Sequence, residues 1–173
     1  MRWDAAGVRF ARPIRWLLAL YGMTPVRFSF GRLTAGNTTW VGGPKRPRQI
    51  TVKSIEDHGR ALKSSGIILN QAERRAWIER TLTQIAKRFG GRTASEMVEH
   101  GLLEEVTYLV EQPVSLIAAF DAKYLTLPRE VLLASMAKYQ RVFAIESAEK
   151  LLPQCVAILE GSPKTPSSRA RRR

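Results

Sequence analysis

The chain has 173 residues, 45% hydrophobic and 25% charged, which places it among globular proteins and excludes wholesale disorder. Lys and Arg number 28 against 15 Asp and Glu, a net charge of +13. A single cysteine, Cys155, excludes an internal disulfide framework, and one cysteine with two histidines argues against a structural zinc site.

The N-terminal region carries Arg2, Asp4, Arg9 and Arg12, so it has no apolar core of the kind a signal peptide needs. Its Arg-rich character faintly resembles a transit peptide, but Pro13 and the strand-like run 14–21 argue against that helix. In that run Ile14, Trp16, Leu18 and Leu20 alternate with Leu17, Ala19 and Tyr21. Both faces are mostly apolar, which predicts an interior strand. Tyr21-Gly22-Met23-Thr24-Pro25 reads as a turn. Val26, Phe28 and Phe30 then alternate with Arg27 and Ser29, as in a half-buried strand. Residues 38–41 form a further strand candidate, 42–47 a Gly/Pro loop, and 50–52 a return to the sheet.

Helices follow. Ser54 and Asp57 have capping-box spacing and open a short helix that Gly66 closes. Asn70 and Glu73 start a stronger one, with Ile78, Leu82, Ile85 and Phe89 on one face and Gly90-Gly91 at its end. Arg74, Arg75, Arg80, Lys87 and Arg88 are assigned to its remaining surface, a solvated face beside Glu73 and Glu79. Thr93 and Glu96 offer another cap. Leu102, Leu103, Val106, Leu109 and Val110 line a helix that must end near Gln112, ahead of Pro113. Residues 114–120 are a strand candidate, too short for the ~20 residues of a membrane helix. Pro128 fits a first helical position, with Val131, Leu132, Ser135 and Met136 inward. Residues 141–145 and 154–159 pair as a hairpin around 147–150. After Gly161 the Ser/Pro/Lys/Arg composition predicts a disordered basic tail. The class is α+β, a mixed sheet with packed helices: a domain over 1–160, with a sheet-rich basic part over 1–52 and a mixed helical part over 53–160, then the tail 161–173.

The charge is segregated. Residues 1–50 hold nine Lys/Arg and one acid, Asp4; residues 163–173 hold five Lys/Arg and no acid; residues 51–162 balance at 14 of each. Two readings stand: a polyanionic partner for the basic regions, or a piece of a longer chain whose acids lie elsewhere. Little looks catalytic. His58 and His100 lack metal-ligand spacing, and His100-Gly101 reads as a helix end. Cys155 lies in an apolar strand, where a thiol is inert. Glu104 and Glu105 suit a helix N-terminus, and Gly42-Gly43-Pro44-Lys45 lacks phosphate-loop spacing. Trp3, Trp16 and Trp40 lie among the basic residues. Interleaving of this kind can stack bases, although Trp16 belongs to the apolar strand face.

Three runs carry a family resemblance: Met1-Arg2-Trp3; Phe10-Ala11-Arg12-Pro13-Ile14-Arg15-Trp16-Leu17; and LLEEVTYLVEQPVSLIAAFDAKYLTLPREVLLASMAKYQRVF from Leu102 to Phe143, which Leu151-Leu152-Pro153 extends. Together they resemble the β subunit of the bacterial heterotetrameric glycyl-tRNA synthetase. The resemblance covers about residues 1–160 but a minority of a full β subunit, as an internal fragment or truncated product would. It implies a fold similar to the editing-type domain of the phenylalanyl-tRNA synthetase β subunit, and a cytoplasmic α2β2 ligase. In that enzyme the α subunit activates glycine with ATP and Mg while β positions tRNA(Gly). This portion would then be non-catalytic and need no cofactor. Two departures stand out. Asn37 and Thr38 replace the family's His and Arg in Thr34-Ala35-Gly36-Asn37-Thr38-Thr39, and Tyr139 stands where His is usual. The candidate tRNA contacts, chosen by charge, are Arg2, Arg9, Arg12, Arg27, Arg32, Lys45, Arg46 and Arg48, with Arg12 and Arg15 open to a structural ion-pair role instead. The rival readings are a subunit-assembly scaffold and an editing-type aminoacyl-tRNA hydrolase.

Overall fold

The computed structural model describes residues 14–41, 47–148 and 150–161. The chain divides into two compact units between Ser65 and Gly66.

The first unit is built from short pairings. β1 (Leu20–Tyr21) turns through Gly22 and Met23 into β2 (Thr24–Pro25), and β3 (Ser29–Phe30) turns through Gly31 and Arg32 into β4 (Leu33–Thr34). Gly31 has φ +59°, the left-handed conformation that tight hairpin turns need and that glycine adopts without steric cost. Residues 24–30 pair twice. Val26 N donates to Ala19 O (3.0 Å), while Phe28 O accepts from Ala35 N (2.8 Å). Gly36 then closes the curl, its N–H on Leu17 O and its carbonyl on the N–H of Ala19. β5 (Thr38–Val41) pairs antiparallel with β6 (Arg48–Thr51) over four residues. Ala35, Val41 and Val52 are the buried apolar side chains among this unit's described residues. α1 (Ile55–Ser64) starts as expected: Ser54 Oγ accepts from Asp57 N (3.2 Å), and the Asp57 carboxylate accepts from Lys53 N (3.1 Å).

The expected interior strand over 14–21 is corrected to the two-residue β1, joined to Gly36 by a bridge at Leu18. A strand apolar on both faces needs a covering layer on each side. Among the described residues of this unit α1 buries none of its own fully, so it supplies no such layer. Trp16, Val26, Phe28 and Phe30 accordingly remain exposed.

The second unit packs helices on a four-stranded sheet. α2 (Gln71–Arg88) is capped by Asn70, whose Oδ1 accepts from Ala72 N and Glu73 N. β7 (Arg92–Thr93), α3 (Ser95–Glu99), α4 (Leu102–Leu109) and β8 (Pro113–Ala119) follow. A 3-10 turn at Ala122–Thr126 leads to α5 (Arg129–Ala134), which widens into a π-helical turn over Ser135–Gln140. β9 (Val142–Ser147) and β10 (Lys150–Glu160) complete the chain's order β7-β9-β10-β8. Every named strand pairing is antiparallel, so the expected mixed sheet is corrected to small antiparallel sheets in an α+β chain. Ile78, Leu82, Ile85, Met97, Leu103, Val106, Phe143, Ile145 and Val156 form the core. Burial contributes roughly 1.5–3 kcal/mol for each large aliphatic or aromatic side chain.

Three local expectations in this unit are also corrected. Thr93 does not cap α3. It pairs with Ile145 in the sheet, and Ala94 N donates to Ala144 O, so strand pairing takes the backbone a side-chain cap would have ordered. Pro128 is the residue before α5, one position earlier than expected, and the inward set is Leu132, Leu133 and Met136 with Val131 exposed. Arg74 lies buried among the core positions of α2, and Leu109 is exposed because the helix ends there. The predicted loop over 42–46 and the tail after Gly161 lie outside the described residues.

Candidate nucleic-acid interface

Arg27, Arg32 and Arg48 occupy three different places in the first unit, and all are exposed. Arg27 stands at the bend where residues 24–30 change pairing partner. Arg32 sits in the β3–β4 turn, and Arg48 opens β6 opposite Val41. Between Asp4 and Glu56 the sequence has no acid. Among the described residues, no carboxylate forms an ion pair with Arg15, Arg27, Arg32 or Arg48. Arg2, Arg9, Arg12, Lys45 and Arg46 lie outside the described residues.

Aromatic rings accompany these cations. Trp16 and Trp40 lie 6.4 Å apart between centroids, tilted by 53°, and Trp16 Nε1 donates to Thr39 Oγ1 (3.0 Å). That hydrogen bond ties Trp16 to the buried Thr39 while the residue stays 38% exposed, in place of the interior position its apolar alternation predicted. Of the family departures, Asn37 accepts from Val52 N through its backbone carbonyl (2.7 Å), Thr38 opens β5 opposite Thr51, and Tyr139 is exposed beside Lys138.

In the second unit most cations already have partners. Arg129 reaches Glu96 through Nη1 (2.5 Å) and Nη2 (3.1 Å), and Nη2 also meets Glu146 (2.5 Å). Arg92 Nε donates to the other Glu146 oxygen (3.0 Å). Glu146 is only 1% exposed, and two arginines compensate its charge. The Arg129 hydrogen bonds, Glu96's own backbone N–H and, more weakly, charge attraction hold the Glu96 carboxyl down at about 2. Arg74 donates to Thr107 O (2.7 Å) and Ile68 O (2.6 Å), and Arg141 pairs with Glu105 (2.5 Å). A cleft of about 270 Å³ lined by Glu96, His100, Arg129 and Leu133 therefore offers no uncompensated cation to an anion.

Sequence reasoning missed the Glu96–Arg129–Glu146–Arg92 cluster and the role of Arg74. Only Arg74 left a trace: it falls four residues before Ile78, on the apolar stripe. Nothing in the spacing joins Glu146 to residues 17 and 54 positions away. Elsewhere, burial pushes the Cys155 thiol up, away from reactivity. Among the described residues no three of His, Cys, Asp and Glu gather as a metal site, and no helix is long and apolar enough to cross a membrane.

The fold and this charge division describe an α+β chain with a cationic first unit and a second unit whose described residues nearly balance in charge. Residues 1–170 match the family described as the glycyl-tRNA synthetase beta subunit. The chain is 38% identical to the glycine–tRNA ligase beta subunit of Moorella thermoacetica over 94% of its own length, and 36% identical to that of Clostridioides difficile over 93%. It is 35% identical to the glycine–tRNA ligase of Chlamydia trachomatis over 94% of its length. It spans 23%, 23% and 16% of those relatives respectively. The chain belongs to the glycyl-tRNA synthetase beta subunit family.

Proposed function

We propose that this chain is a non-catalytic, tRNA-handling part of a glycine–tRNA ligase, helping to position tRNA(Gly) for glycylation by an α subunit in the cytoplasm. ATP and Mg would act on that partner subunit, with no cofactor held here. The observation that carries the reading is the cationic first unit, with no acid between Asp4 and Glu56, whose Arg27, Arg32 and Arg48 are exposed and lack carboxylate partners among the described residues. Arg2, Arg9, Arg12, Lys45 and Arg46 extend the same charge in sequence. The kinship proposed with the editing-type domain of the phenylalanyl-tRNA synthetase β subunit concerns architecture alone. Editing serves a pocket that cannot reject a smaller competitor, since one methylene discriminates by only ~1–3 kcal/mol. Glycine has no smaller amino-acid competitor, and larger ones are excludable by sterics, which disfavours the hydrolase reading; turnover of misacylated tRNA in a deacylation assay would revive it.

Filter binding of tRNA(Gly) across a salt series tests the proposal. With about four phosphates neutralised, log K should fall against log salt with a slope of roughly −3 to −4. A flat series would remove it. Charge reversal at Lys45, Arg46 and Arg48 separates it from the assembly-scaffold reading: weaker tRNA binding supports tRNA handling. Unchanged binding with altered oligomerisation supports the scaffold.

A further inference from the structure

We infer that the curled hairpins of the first unit are a seat for unpaired nucleotides of RNA, their bases stacked on Tyr21, Phe28 and Phe30 and their phosphates held by Arg27 and Arg32. This rests on the RNA-handling reading above and narrows it from charge alone to single-stranded or looped RNA.

Tyr21, beside the β1–β2 turn, is 84% exposed. Phe28 and Phe30 are 48% and 41% exposed, although both lie in paired backbone: Phe28 O accepts from Ala35 N, and Phe30 faces Leu33. The pairing holds the backbone beneath both rings, so a ligand does not have to order it. Arg27 directly precedes Phe28, and Arg32 lies two positions beyond Phe30. The hydroxyls of Ser29 and Thr34, 3.4 Å apart, lie on the opposite face of that pair and leave the Phe30 side apolar.

An occupant must match both features. The absence of acid between Asp4 and Glu56 favours an anionic partner. Exposed flat rings require a partner with flat apolar faces. An unpaired nucleotide has one of each, whereas in an A-form duplex the bases already stack on one another and the deep groove is closed to side chains. An acidic peptide would satisfy the arginines and leave the rings in water.

The test is equilibrium binding of the full chain to a short single-stranded RNA, to the blunt duplex of the same sequence, and to heparin and poly-glutamate as polyanions without bases. Single strand should bind tightest. Tyr21→Ala, at a side chain that packs on almost nothing, should weaken single-strand binding about tenfold and leave the salt slope unchanged. Phe28→Leu with Phe30→Leu, which keeps apolar volume and removes the rings, should do the same with thermal unfolding little altered. Arg27→Gln and Arg32→Gln should each make the slope shallower by about one. Equal binding of single strand and duplex with silent ring variants overturns the stacking seat and leaves the charge reading standing. Binding of neither RNA overturns both, and poly-glutamate competing as well as single-stranded RNA overturns the seat in favour of a protein partner.

Discussion

Arg74 is a charged side chain used as a backbone clamp. Its guanidinium sits at a core position of α2 and satisfies carbonyls of Thr107 and Ile68, before and beyond the helix in sequence. Substituting Arg74→Leu keeps the apolar stripe but strands those carbonyls, at a cost of roughly 1–3 kcal/mol each. The urea midpoint should therefore fall, and Arg74→Lys should not restore it, because one ammonium cannot reproduce the planar fork. The Glu96 carboxylate makes a different prediction. Its folded value of about 2 lies below the ordinary 4.5, so its contribution is complete above pH 4.5 and drains away as pH falls toward 2. Water screens part of the interaction, since 39% of the side chain is exposed. Thermal midpoints measured down that range should drop less steeply in Glu96→Gln than in the parent chain.

Elements were legible where one local rule governed them. The Asn70 cap, the Ile78–Leu82–Ile85 face and the stop at Gly90-Gly91 fixed α2 from sequence, and the β9–β10 hairpin followed from two apolar runs around a turn. Legibility failed where long-range pairing overrode a local signal: Thr93 carried capping spacing yet went into the sheet. It failed again where apolar alternation lacked a partner layer, as at Trp16 and Phe28. Of the candidate site, the charge excess was readable because charge counts survive without coordinates. The partners that neutralise one unit and spare the other were not. Gly91 shows how closely the end of α2 approaches the sheet. A Cβ there would fall onto the carbonyl of Glu146 and come within 3.2 Å of Ile145 Cγ2. Backbone cannot yield as a flexible side chain does. Gly91→Ala should cost about 1–3 kcal/mol, read from the urea midpoint, and lower protection from hydrogen exchange at the β7–β9 pair.

Across the whole molecule, the division of charge follows the division into units. Residues 1–65 hold twelve Lys/Arg against three Asp/Glu, net +9, while residues 66–173 hold sixteen against twelve, net +4, and five of those sixteen follow Gly161, outside the described residues. Net charge alone and placed charge make different predictions. Arg27, Arg32 and Arg48 changed together to Glu lower the chain's charge by six, and so do Arg80, Lys87 and Arg88 changed together on the exposed side of α2. At 0.1 M salt the Debye length is about 10 Å, so a cation counts only where phosphate approaches it. The first triple should therefore make the salt slope for tRNA(Gly) shallower by about three, whereas the second should leave it within about one of the parent. Equal losses from the two triples would mean that RNA responds to total charge, and the first unit would have no claim to be the binding face.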